Sequence, residues 1–260
     1  PFTKGRKPYE QTAFQFSAHT MHRDGRMEHY EWIDAYQGVF PNYEFVRQLK
    51  AVLDKDEGTI FRYAAHENTV LRQIQTQMME DDEQKYGDLI KWIDTITEYK
   101  IGKSKVAGPR NMVDMLQLVR EHYYHPDMKG SNSIKAVLPA VMTGDAIKKK
   151  YSKPLDFGTH LKGRVLWELN PETGKPENPY HLLPSKYDDL DLSQDELILE
   201  DANIQEGGAA LIAYAKMQFT DMSDVEREAL RKALLQYCEL DTLAMVMIYE
   251  HWTSILKSGK

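Results

Sequence analysis

The chain has 260 residues, of which 42% are hydrophobic and 28% are charged, and its formal net charge is −7. This composition is typical of a globular protein with a sizeable core, and the negative charge argues against a protein that coats nucleic acid by charge alone. The single cysteine, Cys238, excludes an internal disulfide framework and suits a reducing cytoplasm. The chain has no apolar run of about 18 residues, so we expect no membrane span.

Strand and helix patterns alternate along the first half of the chain, which predicts the α/β class. Residues 12–20 and 27–33 alternate apolar and polar side chains, and Asp24-Gly25 between them favours a hairpin turn. Residues 59–65 have the composition of a buried strand. Apolar residues at helical spacing predict helices that begin near residues 42 and 66 and helices at 86–99 and 116–123, with a short strand at 111–115.

The segment 151–206 differs from the rest of the chain. It is rich in Pro, Gly, Asn and Asp, which predicts an irregular insertion within a single domain spanning residues 1–260. Residues 164–169 are compatible with one strand of a hairpin inside it. We expect the insertion to pack across the front of the sheet and to wall a cleft of acidic residues. Its Trp167 and Tyr180 either stack on unpaired bases or anchor the insertion, and both interpretations stay open.

The last helical region contains the most informative pair of residues. It begins at Ser223-Asp-Val-Glu226, which is a capping box. Tyr237 and Asp241 are four residues apart within it, so they project to the same side of a helix. The surrounding residues are too apolar for a solvated face, and a carboxylate in such surroundings needs a partner. A divalent cation or a hydrogen-bond donor would each supply one.

Three other parts of the chain carry candidate functional groups. Glu67 follows a buried strand, at the usual active-site edge of an α/β sheet, although the dipole of the next helix alone would favour an acid there. Asp114 is either a further acid near a metal ion or the cap of the helix that follows. In Gly130-Ser-Asn-Ser-Ile-Lys135, Ser131 or Ser133 is suited to cap a helix whose end receives a phosphate beside Lys135. A plain cap with a surface lysine is the alternative.

These segments together resemble a known group of enzymes. A strand followed by an acid, and then a late Tyr-x-x-x-Asp helix, is the layout of the DEDD-type exonucleases of the tyrosine subclass, whose domain is ribonuclease-H-like. The chain is more closely similar to an uncharacterised bacterial family whose members carry such a domain at the C-terminus. The segments that carry this resemblance are Arg6-Lys-Pro-Tyr9, Phe14-Gln-Phe-Ser17, His19, His66-Glu67, Asp114-Met-Leu116, Tyr123-Tyr-His-Pro126, residues 130–139, 178–184 and 207–210, and residues 237–245.

The resemblance implies a fold and an activity. The fold is a ribonuclease-H-like mixed sheet flanked by helices, and the activity is metal-dependent hydrolysis of phosphodiester bonds in DNA or RNA, of the 3'-5' exonuclease type. In that group acidic residues hold two divalent ions, Mg²⁺ or Mn²⁺, because these hard cations prefer oxygen ligands. By the resemblance, Glu67 and Asp241 bind metal and Asp114 is a further candidate ligand. Tyr237 orients the attacking water or helps to deprotonate it.

The chain departs from this layout at one motif. The group carries Asp-x-Glu on a strand just ahead of the segment that begins at Thr12, but only eleven residues precede Thr12 and Glu10 is the sole acid among them. We therefore expect that the first strand is missing, that the chain starts after this motif as part of a larger polypeptide, and that it cleaves poorly. The alternative is a catalytically inactive module of the same fold that binds nucleic acid or a protein.

Overall fold

The structure is a computed structural model that describes residues 6–7, 10–183 and 207–258. The described residues contain both strands and helices, so the predicted α/β class is confirmed. The strands are β1 (Gln15–Met21), β2 (Met27–Ile33), β3 (Phe61–Arg62), β4 (Glu98–Ile101), β5 (Ser104–Ala107) and β6 (Val113–Asp114). The helices are α1 (Asn42–Leu53), α2 (His66–Asp82), α3 (Gly87–Ile96), α4 (Met115–His122), α5 (Ile134–Val141), α6 (Asp145–Tyr151), α7 (Gly207–Phe219) and α8 (Asp224–Ser258).

The chain divides into two compact units. One, the hairpin unit, consists of Gln15–Gly38 and His125–Lys260, and the other, the helical unit, consists of Phe2–Phe14 and Val39–Tyr124. The single domain expected over residues 1–260 stays a prediction. Among the described residues, no helix combines the length and the apolar character that crossing a membrane requires.

The described strands form three sheets of two strands each. β1 pairs antiparallel with β2, β4 pairs antiparallel with β5, and β3 pairs parallel with β6. The expected ribonuclease-H-like mixed sheet is therefore not confirmed. The predicted strand at 59–65 is reduced to Phe61 and Arg62, because the chain turns at Ala64, whose φ is +76°, and enters α2 at His66.

The core of the helical unit is built by helices α1, α2 and α3. Apolar residues at helical spacing are buried on their inward sides, as the sequence pattern predicts. The predicted helix at 86–99 ends earlier, at Ile96, because Thr97 adopts an extended backbone. A hairpin follows, in which Ile101 pairs with Ser104 across a turn where Gly102 has a φ of +59°.

The hairpin unit is organised around the long helix α8. The predicted capping box at its start is confirmed: the Glu226 N–H donates to Ser223 Oγ at 3.2 Å, and the Ser223 N–H donates to Glu226 Oε2 at 3.0 Å. The hairpin of β1 and β2 contacts α8 through side-chain hydrogen bonds from Ser17 and His19 to Thr242. The predicted hairpin is also confirmed, and its register places His19 directly opposite His29.

The described part of the predicted insertion is irregular but packed. Between the end of α6 and residue 183 it contains a short 3-10 helix, Pro179–Leu182, and an isolated bridge between Leu169 and Pro176. The strand considered at 164–169 is limited to that bridge. Leu161 and Leu166 are fully buried and hold the segment to its unit. The remainder of the predicted insertion, 184–206, lies outside the described residues.

Candidate functional site

Tyr237 and Asp241 lie on the same side of α8, as their spacing predicts, and a third residue joins them. The Tyr180 hydroxyl donates a hydrogen bond to Asp241 Oδ1 at 2.5 Å. The ring of Tyr180 lies 5.6 Å from the ring of Tyr237, centroid to centroid, and both rings are buried. One partner of the Asp241 carboxylate is therefore a tyrosine from the segment before residue 184, a contact that the sequence pattern did not predict.

Lys135 completes this group, which we call the tyrosine–aspartate cluster: Lys135, Tyr180, Tyr237 and Asp241. The Lys135 ammonium lies 5.4 Å from the ring centroid of Tyr180 and 5.5 Å from that of Tyr237, within the range of cation–π attraction. Four residues from α5, α8 and the 3-10 helix thus converge in one place. Lys135 and the Tyr-x-x-x-Asp pair were candidates on separate grounds, and the structure brings them together.

The start of α5 positions Lys135. The Ser133 hydroxyl caps the helix by accepting a hydrogen bond from the Lys135 N–H at 3.4 Å, and Ser131 Oγ accepts one from the Ser133 N–H at 3.3 Å. Both serines therefore stabilise the turn and the first residues of α5. Their predicted contact with a phosphate stays a prediction.

Burial determines the protonation of the tyrosine–aspartate cluster. Removal from water, together with the nearby Asp241 charge, raises the pKa of the Tyr180 and Tyr237 phenols above their ordinary range. Both phenols are therefore protonated at neutral pH, and the Tyr180 hydroxyl donates to Asp241. Burial also raises the pKa of the Cys238 thiol, which makes this cysteine a poor nucleophile.

In the helical unit, Glu67 occupies the first turn of α2. Its Oε2 atom is buried and accepts no hydrogen bond from the described residues. Burial raises the pKa of this carboxyl group, while the nearby Arg62 guanidinium opposes the shift. A buried carboxylate oxygen of this kind is able to coordinate a cation.

Asp114 has a structural role in the same unit. It caps α4, because its Oδ1 accepts hydrogen bonds from the N–H groups of Leu116 at 2.9 Å and Gln117 at 3.4 Å. The same oxygen accepts the Ala64 N–H at 3.1 Å, and Oδ2 lies 3.8 Å from the Arg62 guanidinium. Asp114 thereby holds the left-handed backbone at Ala64, three residues before Glu67. Its role as a metal ligand stays a prediction.

The candidate acids belong to different units, since Glu67 and Asp114 are in the helical unit and Asp241 is in the hairpin unit. Each unit is compact by itself, and the shared cation expected between Glu67 and Asp241 stays a prediction.

One group of polar residues was not predicted from the sequence. His19, His29 and Glu239 each present a ligand atom, and these atoms lie within 4.8 Å of one another in the hairpin unit. The hairpin register gives the signal for the histidines, because directly paired residues share one face of a sheet. No pattern within the sequence indicates that Glu239 faces them.

Comparison with known proteins identifies one family. Its model, described as a domain of unknown function (DUF2779), matches residues 1–133, slightly more than half of the chain. The matched segment contains Glu67 and Asp114 and ends before Lys135. No curated protein and no solved structure matched. The chain therefore belongs to the DUF2779 family.

Proposed function

We propose that this protein hydrolyses phosphodiester bonds with Mg²⁺ or Mn²⁺, as a nuclease of the 3'-5' exonuclease type. The observation that carries the proposal is the convergence of Lys135, Tyr180, Tyr237 and Asp241 in one cluster. A cation, a carboxylate and a protonated phenol are the groups needed to hold a phosphate, bind a metal ion and orient a water molecule.

In the hairpin unit Asp241 would hold a metal ion, and in the helical unit Glu67 is a separate candidate ligand. Oε2 of Glu67 has no hydrogen-bond partner among the described residues and fits this role, because a buried carboxylate oxygen is stabilised when it coordinates a hard cation. When bound, such an ion polarises the phosphoryl group and lowers the pKa of a coordinated water. Asp114 contributes indirectly, since its hydrogen bond to the Ala64 N–H fixes the turn that leads to Glu67.

Tyr237 and Lys135 have distinct roles in this proposal. Because burial raises the pKa of the Tyr237 phenol, the hydroxyl orients the water through hydrogen bonds instead of removing its proton. The Lys135 ammonium attracts the phosphate, while the rings of Tyr180 and Tyr237 limit where it moves. Tyr180 holds the Asp241 carboxylate in one orientation through its hydroxyl.

A specific observation favours a second candidate, a binding module without catalysis. Asp241 already accepts a hydrogen bond from Tyr180, and Asp114 is engaged by backbone N–H groups. These contacts stabilise both carboxylates without a metal ion. In that case the protein would bind nucleic acid or a protein without cleaving it.

The test combines metal binding with cleavage by the whole chain. Mn²⁺ is titrated and free Mn²⁺ is followed by electron paramagnetic resonance. Labelled single-stranded DNA and RNA oligonucleotides are then incubated with excess protein and Mn²⁺, so that slow hydrolysis is detected. We expect weak Mn²⁺ binding and EDTA-sensitive cleavage in the wild type, and loss of both in Asp241→Asn.

Two further variants sharpen the test. Tyr237→Phe should retain Mn²⁺ binding and lower the cleavage rate by about 100-fold or more, as expected when a residue that orients the water is lost. Asp221→Asn, at an exposed position in the hairpin unit, is the matched control and should behave as the wild type. Mn²⁺ binding that survives in Asp241→Asn would contradict the proposed nuclease. Oligonucleotide binding without any cleavage would also contradict it and would favour the binding module.

A further inference from the structure

A second polar group lies where the β1–β2 hairpin contacts α8. We call it the histidine–glutamate cluster: His19 on β1, His29 on β2 and Glu239 on α8. The two imidazole rings are 4.7 Å apart, centroid to centroid, and His29 Nδ1 lies 3.8 Å from Glu239 Oε1. The side chains of His29 and Glu239 are 1% and 0% exposed. This cluster plays no part in the proposed hydrolysis.

We propose that the histidine–glutamate cluster binds one divalent transition-metal ion of the Zn²⁺ type, which fastens the hairpin to α8. Two imidazole nitrogens and one carboxylate oxygen form a ligand set that suits Zn²⁺. The ligand atoms lie within 4.8 Å of one another. Tetrahedral Zn²⁺ with bonds of about 2.0–2.1 Å separates its ligands by about 3.3–3.5 Å. Small side-chain rotations therefore suffice to close the site.

His19 supplies the most direct indication of a ligand. Its Nδ1 lies 2.8 Å from Thr242 Oγ1, whereas its Nε2 is buried and has no hydrogen-bond partner among the described residues. A buried ring nitrogen without a partner is unfavourable, and a metal ion would satisfy it. A contact from the other ring nitrogen to a neighbouring group is the arrangement usual for metal-binding histidines, since it fixes the orientation of the ring.

His29 and Glu239 are held in a similar way. His29 Nε2 lies 2.9 Å from Ser17 Oγ, and its Nδ1 lies 2.8 Å from Thr159 Oγ1, a hydroxyl that leaves by rotation of one side-chain bond. Glu239 Oε1 accepts the Thr159 N–H at 2.9 Å and Oε2 accepts the His160 N–H at 2.7 Å. These two donors orient the carboxylate, and each oxygen keeps a lone pair for a cation.

The backbone around Thr159 is shaped to the carboxylate. Gly158 has a φ of +93°, and a Cβ atom at this position would lie 2.3 Å from Glu239 Oε1. A side chain at this position would therefore require the Glu239 carboxylate to shift, and the positive φ also favours glycine. The next two residues, Thr159 and His160, donate their N–H groups to Glu239. The segment 158–160 therefore holds the Glu239 carboxylate in place.

The electrostatics of the cluster favour a cation. Burial lowers the pKa of His19 to about 3 and also lowers the pKa of His29, so both imidazoles are neutral at physiological pH. Neutral imidazole is the form that coordinates metal. The Glu239 side chain is fully buried 3.8 Å from His29, and a divalent ion between them would add a positive charge to the two backbone N–H donors that this carboxylate already accepts.

This site is distinct from the tyrosine–aspartate cluster. Glu239 and Asp241 are two residues apart on α8, and two residues turn a helix by about 200°, so their side chains point to nearly opposite sides. The ligand chemistry differs as well, because carboxylates select Mg²⁺ or Mn²⁺ whereas imidazoles favour Zn²⁺.

The experiment measures metal binding by the whole chain after removal of metal with EDTA and exchange into chelator-free buffer. Zn²⁺ is titrated against a chromophoric competitor, and Co²⁺ serves as a spectroscopic probe of tetrahedral coordination. We expect one equivalent of Zn²⁺, a visible Co²⁺ band and a raised Tm in the wild type. His19→Gln and His29→Gln should each weaken Zn²⁺ binding strongly. Loss of a residue that only hydrogen-bonds a metal ligand typically weakens binding by about 10- to 100-fold, and the loss of a ligand itself should exceed this.

Controls separate this site from the other candidate. His122→Gln removes an exposed histidine and Asp241→Asn removes the carboxylate of the tyrosine–aspartate cluster, and both should bind Zn²⁺ as the wild type does. Near-ultraviolet circular dichroism verifies that each variant is folded. Because His19 Nε2 has no hydrogen-bond partner in the described part of the chain, His19→Gln remains informative if Glu239→Gln fails to fold. No stoichiometric Zn²⁺ binding, or binding that survives in His19→Gln and His29→Gln, would overturn the proposal.

Discussion

The hydroxyl of Tyr180 donates a hydrogen bond to Asp241 Oδ1 at 2.5 Å, although the two residues are 61 positions apart in the sequence. This contact supplies the partner that a carboxylate in an apolar helix requires. It also favours the anchoring role of Tyr180 over base stacking, because the residue is only 2% exposed. Trp167 is similarly engaged, since its indole N–H donates to the Met142 carbonyl at 2.7 Å.

The first prediction concerns this hydrogen bond. Tyr180→Phe keeps the buried ring but removes the donor to Asp241, so the free energy of unfolding should fall by about 1–3 kcal/mol. Urea unfolding followed by circular dichroism measures the change. Tyr124→Phe, at an exposed position, is the control and should change stability by less than about 0.5 kcal/mol. Equal stability of Tyr180→Phe and the wild type would mean that the contact contributes nothing.

The second prediction concerns Glu67. One oxygen of its buried carboxylate has no hydrogen-bond partner within the described ranges. The neutral amide in Glu67→Gln should therefore leave the free energy of unfolding at pH 7 unchanged or raise it by up to about 2 kcal/mol. Such a result is typical of an acid that is present for function. Chemical denaturation tests it, with Glu121→Gln on the exposed side of α4 as the control. Marked destabilisation by Glu67→Gln would assign the carboxylate a structural role.

The third prediction compares two glycines with positive φ. In Gly158→Ala the new Cβ meets Glu239 Oε1, whereas in Gly163→Ala, at a φ of +81°, no atom of the described residues lies within 4 Å of the new Cβ. In both variants the left-handed backbone should lower the free energy of unfolding by about 1–2 kcal/mol. Only in Gly158→Ala should the free energy of unfolding fall by at least about 1 kcal/mol more. Thermal and urea unfolding of the two variants, measured in parallel, give the difference. Equal losses of unfolding free energy in the two variants would show that the Glu239 carboxylate shifts at little cost.

The fourth prediction concerns pH. Burial of His251 lowers its pKa below the ordinary value of 6.5, with a smaller contribution from His125. As pH falls, the His251 imidazole is therefore protonated in the unfolded chain before it is protonated in the folded protein. The free energy of unfolding is thus highest above about pH 6.5 and decreases on acidification. The slope from this one group is at most about 1.4 kcal/mol per pH unit.

The measurement is urea unfolding at several pH values between about 5 and 7.5, for the wild type and His251→Gln. Since His19 and His29 titrate in the same direction, only the difference between the two proteins counts. The variant should lose less stability than the wild type as pH falls. Parallel profiles would contradict the assignment.

The sequence by itself determined those features that depend on neighbouring residues. The Asp24-Gly25 turn specified the β1–β2 hairpin, and the spacing of Ser223 and Glu226 specified the start of α8. The four-residue spacing of Tyr237 and Asp241 placed them on one side of that helix. These features could be predicted because a turn, a cap and a helical face are set by local backbone geometry. The β4–β5 hairpin was missed because the apolar pattern of α3 runs directly into it.

Only the tertiary structure decided which distant residues meet. Tyr180 reaches Asp241, and Glu239 reaches His29, because an irregular segment and a hairpin pack against different sides of α8. The spacing within any one segment does not encode such contacts. They arise when burial of apolar surface fixes the elements against one another, and the polar groups carried inward must then find partners among whatever residues lie opposite.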